Sequence, residues 1–265
     1  MTDSTTRYRH KGLNLAYQAE GAGSVLLLIH GFPLNRTMWG RLGGFDGYLT
    51  VAPDLRGMGE SEAPVANYSM AAYADDLLAL LDVLGADRAV VCGLSMGGYI
   101  AFEVLRRAPE RVAGLILMDT KAAADDELGR QGRNAMAERV RHDGPAAVVA
   151  AMLPKLLDPE VAKVRPDLVD LVRRMMEGTP VAGLIGALEA MRDRPDSMAL
   201  LGAVSVPTLV VVGAGDQLTP PAEARRMADG ISGAELEVIL GAGHLPPLER
   251  PSRTRAAMVR FLAQV

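Results

Sequence analysis

Cysteine is almost absent: Cys92 is the single one in 265 residues. That excludes an internal disulfide and any multi-cysteine metal site. Long apolar runs are missing as well, since no stretch approaches the roughly 18 consecutive apolar residues of a membrane span. The opening MTDSTTRYRHKGLNLAYQ has no apolar segment behind a basic one, the mark of a secretory leader, so the expectation is a cytoplasmic protein without a membrane partner. Nor does one sign of charge prevail: 28 Lys and Arg face 32 Asp and Glu, a formal net charge of -4. The basic residues are scattered rather than clustered, which argues against a phosphate-tracking surface and against nucleic acid as a partner. The patterns HExxH, paired CxxC, G-x-x-x-x-G-K-[ST] and a complete G-x-G-x-x-G are all missing, so no metal and no cofactor is implied.

What is present describes an ordinary folded chain. Hydrophobic residues make up 49% and charged ones 23%, far from the composition of disorder. The length suits one large α/β domain, or such a core with a modest insertion. Short apolar runs at 24–30, 48–52, 89–92, 112–118, 208–212 and 236–240 alternate with longer helical patterns. This is the signature of βαβ units wound into a mostly parallel sheet, its strands buried on both faces. Residues 7–18 read as an antiparallel edge hairpin turning at Lys11-Gly12. Residues 70–84 place Leu77, Leu80, Leu81 and Leu84 on one helical stripe closed by Gly85, and residues 251–263 form a final helix opened by Pro251. The alternation fails between 121 and 200, where several short helices are expected, punctuated at Gly144-Pro145, Pro154, Asp158-Pro159, Pro166 and Thr179-Pro180.

The strongest chemical signal is Gly93-Leu94-Ser95-Met96-Gly97-Gly98, a G-x-S-x-G between the run 89–92 and a helical stretch at 99–107. A nucleophile held on a sharp strand-to-helix turn needs small neighbours, because side chains there would strike the crowded backbone. Ser95 is the candidate nucleophile, and the Met96 N–H at the positive end of the following helix is a candidate oxyanion donor. His30-Gly31-Phe32-Pro33 follows the first long strand, and the Phe32 N–H there is the second donor. His30 itself reads as scaffold.

A serine hydroxyl needs a base, and only four histidines exist. His244, in Gly241-Ala-Gly-His244-Leu-Pro-Pro after the last strand, is the choice, since strand C-terminal ends gather ligands in such sheets. His10 and His142 fall in polar segments and are expected in solvent. The acid should lie between serine and histidine in the chain. Asp216, in Val212-Gly-Ala-Gly-Asp216-Gln-Leu-Thr-Pro220, is favoured over Asp119, which ends the strand 112–118, because the glycine-rich turn leaves its carboxylate free to reach the histidine. Cys92 precedes the elbow but reads as a small buried hydrophobe.

Together HGFP, DLRGMGES (54–61), GLSMGG, GAGDQLTP and GAGHLPPLERP resemble the α/β-hydrolase superfamily, in the branch of small bacterial esterases and enol-lactonases. The resemblance implies a mostly parallel twisted sheet with helices on both faces. It also implies a core of residues 1–120 and 201–265 with a helical cap at 121–200, and a structural role for the 54–61 loop with Arg56. Cap residues would then shape the pocket; the cap holds no Phe, Trp or Tyr but has Met136, Met152, Met175, Met176, Met191 and Met198. Trp39, Leu245 and Met152 are the candidate substrate contacts. The expected activity is hydrolysis of small to medium carboxylic esters through an acyl-serine, with a small-molecule ester or lactone as the partner. A lactonase or enol-lactonase is the close alternative; for an anionic lactone, a buried arginine among Arg130, Arg133, Arg173, Arg174 and Arg192 would be wanted. Carbon-carbon hydrolysis, perhydrolysis and a non-enzymatic ligand receptor are more distant readings on the same fold.

Overall fold

The structure is a computed structural model in which residues 5–265 are described. Residues 1–4, the start of the segment in which a leader is not expected, lie outside the described residues. Eight strands form in chain order: β1 (Thr6–His10), β2 (Leu13–Gly21), β3 (Ser24–Ile29), β4 (Tyr48–Pro53), β5 (Ala89–Leu94), β6 (Val112–Met118), β7 (Thr208–Gly213) and β8 (Glu235–Ile239). They make one sheet in the order β1-β2-β4-β3-β5-β6-β7-β8. β1 and β2 are the expected hairpin, turning through Lys11 and Gly12 at positive φ. β1 pairs antiparallel with β2 and β2 antiparallel with β4, and the remaining five pairings are parallel.

The central strands β3, β5, β6 and β7 are buried almost throughout, as their unbroken apolar runs require. β5 extends past Cys92 to Leu94, with Gly93 paired to Ile29 on one side and Leu117 on the other. The run 236–240 departs from expectation. β8 is the last strand, paired on one side only; Leu236 to Val238 are half-buried and Leu240 lies outside the strand, 63% exposed. Apolar composition alone implies burial on both faces and does not reveal an edge position.

Helix α1 (Met70–Val83) buries Leu77, Leu80 and Leu81. Its N-terminus is capped by Ser69, whose Oγ accepts the Ala72 N–H at 3.0 Å. Gly85 closes it at φ +65. Helix α2 (Met96–Arg107) begins three residues earlier than the sequence suggests. Glycines 97 and 98 are poor helix formers, but close packing overrides propensity: a Cβ at Gly98 would lie 2.5 Å from Thr120 Oγ1.

Between β6 and β7 lies a helical insertion made of α3 (Glu127–Asp143), α4 (Pro145–Leu156), α5 (Pro159–Val164), α6 (Pro166–Glu177) and α7 (Val181–Arg192). Four of the five expected breaks fall between helices. Pro154 does not break the chain; it lies inside α4, close enough to the end that only one helical hydrogen bond is lost. Met175, Met176 and Met191 are buried between these helices, whereas Met136, Met152 and Met198 are half-buried. The insertion rests on loops at the C-terminal ends of the strands: Thr179 Oγ1 is 3.1 Å from Pro33 O, and a Cβ at Gly183 would lie 1.8 Å from Gly57 O. The last elements are α8 (Pro221–Gly230), the short turn α9 (Pro246–Glu249) and α10 (Pro251–Leu262). No helix among the described residues is long and apolar enough to cross a membrane.

Candidate active site

Because β5, β6, β7 and β8 are parallel neighbours, the residues that leave their C-terminal ends gather along one edge of the sheet. Ser95 follows β5, Asp119 follows β6, Asp216 follows β7 and His244 follows β8.

Ser95 occupies a junction with no room to relax. Its backbone has φ 55 and ψ -115, a conformation that costs on the order of 1–3 kcal/mol for a residue with a side chain. Three contacts hold it there. The Ser95 N–H donates to Met118 O at 2.9 Å, and its carbonyl accepts from the Gly98 N–H at 2.9 Å and from Thr120 Oγ1 at 2.8 Å. The flanking glycines are sterically required: a Cβ at Gly93 would lie 2.2 Å from Gly97 O, and one at Gly97 would lie 2.3 Å from Ile29 O. Met96 is the first residue of α2, a position whose N–H has no acceptor within the helix.

The loop after β3 passes directly against this elbow, for a Cβ at Gly31 would lie 3.2 Å from Ser95 Cβ. His30 shapes it. Its Nδ1–H donates to Gly31 O at 3.0 Å, while Nε2 accepts the Leu55 N–H at 3.0 Å. Burial lowers its pKa below the usual imidazole value, so the ring is a neutral strut between the β3 and β4 loops, as expected of a scaffold residue. Phe32 follows it and is buried.

Asp216 and His244 form the polar centre. His244 Nδ1 lies 2.8 Å from Asp216 Oδ2, which fixes the Nδ1–H tautomer and leaves Nε2 with its lone pair. The carboxylate is further held by Thr219 Oγ1 at 2.6 Å on Oδ2, and by the Leu218 and Thr219 N–H groups at 2.8 and 3.1 Å on Oδ1. Burial works against charge on Asp216, but His244 and the Thr219 hydrogen bonds outweigh it and hold the pKa below the ordinary carboxylate value. Asp119, the alternative acid, is fully buried at φ 43 and accepts the Gly213 N–H on Oδ1 at 2.8 Å. Burial first, then the charge of Asp216, drives its pKa well above the usual range. Two adjacent carboxyls are thus pushed in opposite directions, Asp216 toward ionisation and Asp119 toward keeping its proton.

Among the described residues, Asp119, Asp216 and His244 are the one group with metal-ligand atoms in mutual reach, all within 4.8 Å. Their donor set does not suit a cation. Both oxygens of Asp216 are engaged by four donors, and His244 Nδ1 faces that carboxylate rather than an open centre.

Trp39 and Leu245 are buried, and Met152 on α4 is half-buried. Cys92 is buried, which raises its thiol pKa far above the usual value. Arg56 makes a buried bidentate pair with Asp76 at 2.6 and 2.7 Å, in keeping with a structural role. His142 is exposed, but His10 is half-buried with Nε2 enclosed, because β1 packs against α1. None of Arg130, Arg133, Arg173, Arg174 and Arg192 is buried. The buried arginine of the insertion is Arg194, which sequence reasoning passed over; it is committed to Asp125 at 2.9 Å and stacks 4.1 Å over the Tyr99 ring. Thr219 and Glu249 were also missed, although each lies in a quoted motif, three residues after the acid and five after the histidine.

Known proteins share this fold. The sequence model of a family described as "alpha/beta hydrolase fold" matches residues 24–251. A thermophilic esterase from Thermogutta terrifontis, solved with malate bound, superposes with a TM-score of 0.94 at 40% identity, covering 98% of each chain. The enol-lactonase from Burkholderia xenovorans gives 0.91 at 26% identity, covering 97% of this chain and all (100%) of its own. In sequence, 3-oxoadipate enol-lactonase 2 of Acinetobacter baylyi is 28% identical over 94% of both chains.

Proposed function

This chain belongs to the α/β-hydrolase family, and on that premise we propose that it is a carboxylesterase acting through an acyl-Ser95 intermediate. The observation that carries the reading is the buried Asp216–His244 pair at 2.8 Å on the same sheet edge as the strained Ser95 elbow. Ser95 Oγ attacks the ester carbonyl while His244 Nε2 accepts its proton. The resulting imidazolium is stabilised through Nδ1–H by Asp216, which keeps its charge. Oxyanion charge falls on the Met96 and Phe32 N–H groups, the first of them at the positive end of α2. His244 then protonates the leaving alcohol, and water repeats the sequence on the acyl-enzyme. Neither metal nor cofactor has a step in this chemistry.

Residues 121–200 serve as a cap over a core of 1–120 and 201–265, with Trp39, Leu245 and Met152 bordering the acyl or alcohol pocket. The contacts from Thr179 and Gly183 to the β3 and β4 loops support that placement. A lactonase is the second reading, because enol-lactonases are among the relatives and a cyclic ester needs the same attack. The insertion's arginines support a neutral substrate: eight of its nine are unburied, and the buried one, Arg194, is engaged by Asp125.

The test is a burst-phase and steady-state assay with p-nitrophenyl acetate, butyrate and octanoate on wild type and Ser95→Ala. The expected result is a loss of about 10⁶-fold in kcat. Release that does not depend on Ser95 would set esterase activity aside, leaving lactones, carbon-carbon substrates, perhydrolysis or simple ligand binding to be tried in its place.

A further inference from the structure

The loop that presents His244 surrenders its backbone amides to two partners. Glu249, 3% exposed at the end of α9, turns its carboxylate back along the chain. Oε1 accepts the N–H groups of Gly243 at 2.9 Å and Leu245 at 3.1 Å, the residues on either side of His244. Oε2 accepts the Asp158 N–H at 2.7 Å, from the link between α4 and α5 in the insertion. The remaining amide, that of His244 itself, donates to Leu156 O at 3.1 Å.

The same corner of the insertion meets the site at two more points. A Cβ at Gly243 would lie 2.5 Å from Asp158 N, and one at Gly215, in the turn that carries Asp216, would lie 2.8 Å from Asp158 Oδ2. Asp216 fixes the direction of the imidazole through Nδ1. It does not fix where the Cα of His244 lies relative to Ser95; that depends on the three amides. A buried carboxylate that accepts three N–H bonds is a stiff clamp, since charged acceptors make stronger hydrogen bonds than neutral ones.

We propose that Glu249 is a positioning residue for the catalytic base: it fixes the main chain on both sides of His244 and fastens that loop to Asp158 of the insertion. The corner of the insertion thereby supports catalysis as well as substrate binding. This rests on the reading of Ser95, Asp216 and His244 as the triad.

Three variants test it: Glu249→Ala, Glu249→Gln and Gly243→Ala, assayed with p-nitrophenyl butyrate, with kcat counted per active site titrated by a phosphonate that labels Ser95. Glu249→Ala should lower kcat per site by about 10–100-fold, the cost of a base displaced by up to an ångström, with KM little changed. Glu249→Gln keeps one acceptor oxygen and should recover part of the loss. Gly243→Ala leaves the carboxylate intact but drives the corner away from the loop, and should lose kcat as Glu249→Ala does. The downfield proton resonance of His244 Nδ1–H should shift in all three. Lower thermal stability with unchanged kcat per site and an unmoved resonance in Glu249→Gln and Gly243→Ala would overturn the proposal while leaving the triad in place. Failure of the phosphonate to label Ser95 in wild type would overturn the triad reading, and this proposal with it.

Discussion

The C-terminal edge of the sheet and the helical insertion are held together by different means. Along the edge, geometry depends on close approach of backbone to backbone: Gly93 against Gly97, Gly97 against Ile29, and a Cβ at Gly213 only 1.8 Å from Gly243 O. Single atoms decide what fits there. The insertion instead packs Val140, Leu156, Leu168, Val172, Met176 and Leu184 into an apolar interior, where side chains of similar volume can replace one another at little cost. On the proposed reading, the contrast separates chemistry, which is pinned, from pocket shape, which is free to vary.

The largest effect that could break this contrast comes from the pinned side. Asp216→Asn preserves shape but offers the wrong hydrogen-bond donor to His244 Nδ1, so kcat on p-nitrophenyl butyrate should fall about 10⁴-fold with the fold intact by circular dichroism. A modest loss would mean that the acid is not pinned to the base as described.

A smaller effect, of opposite sign, is expected at Asp119. Its folded pKa is raised by burial and by Asp216, so its favourable contribution is complete below the unfolded value of about 3.9 and is lost as pH rises toward the folded value. Asn is neutral throughout, keeps an acceptor for the Gly213 N–H, and tolerates positive φ. Urea midpoints of Asp119→Asn relative to wild type should therefore rise with pH above about 4. A difference independent of pH would show that Asp119 does not hold its proton.

The smallest effect belongs to the insertion. Met152→Ala should alter the preference between acetate, butyrate and octanoate esters by about tenfold in kcat/KM, with kcat for the acetate ester nearly unchanged. Equal loss on all three would place Met152 in the support of catalysis rather than in the pocket, and the contrast would weaken.

The same division explains what could be read from the chain. Ser95, Asp216 and His244 lie in glycine-rich loops because the backbone is crowded there, and crowding leaves its mark in residue type. The strands 24–29 and 112–118 are legible because burial on both faces demands unbroken apolar runs. By contrast, the edge position of β8 depends on which strand ends the sheet, a long-range outcome that leaves Leu236 and Val238 looking like core residues. The start of α2 at Met96 was hidden because Gly97 and Gly98 satisfy packing at the expense of helix propensity. Asp119, Arg194 and Glu249 are charged residue types that normally face water, and only the fold reveals that they are buried. Nothing in the composition of 121–200 says which of its side chains meet a substrate.

The central claim is that Ser95 becomes covalently acylated. The most direct measurement is mass spectrometry of protein acid-quenched during the burst with p-nitrophenyl butyrate, followed by peptide mapping. The account predicts a butyryl mass on the peptide containing Ser95 that disappears in Ser95→Ala; an unmodified Ser95 under active turnover, or an acyl group on another residue, would contradict it.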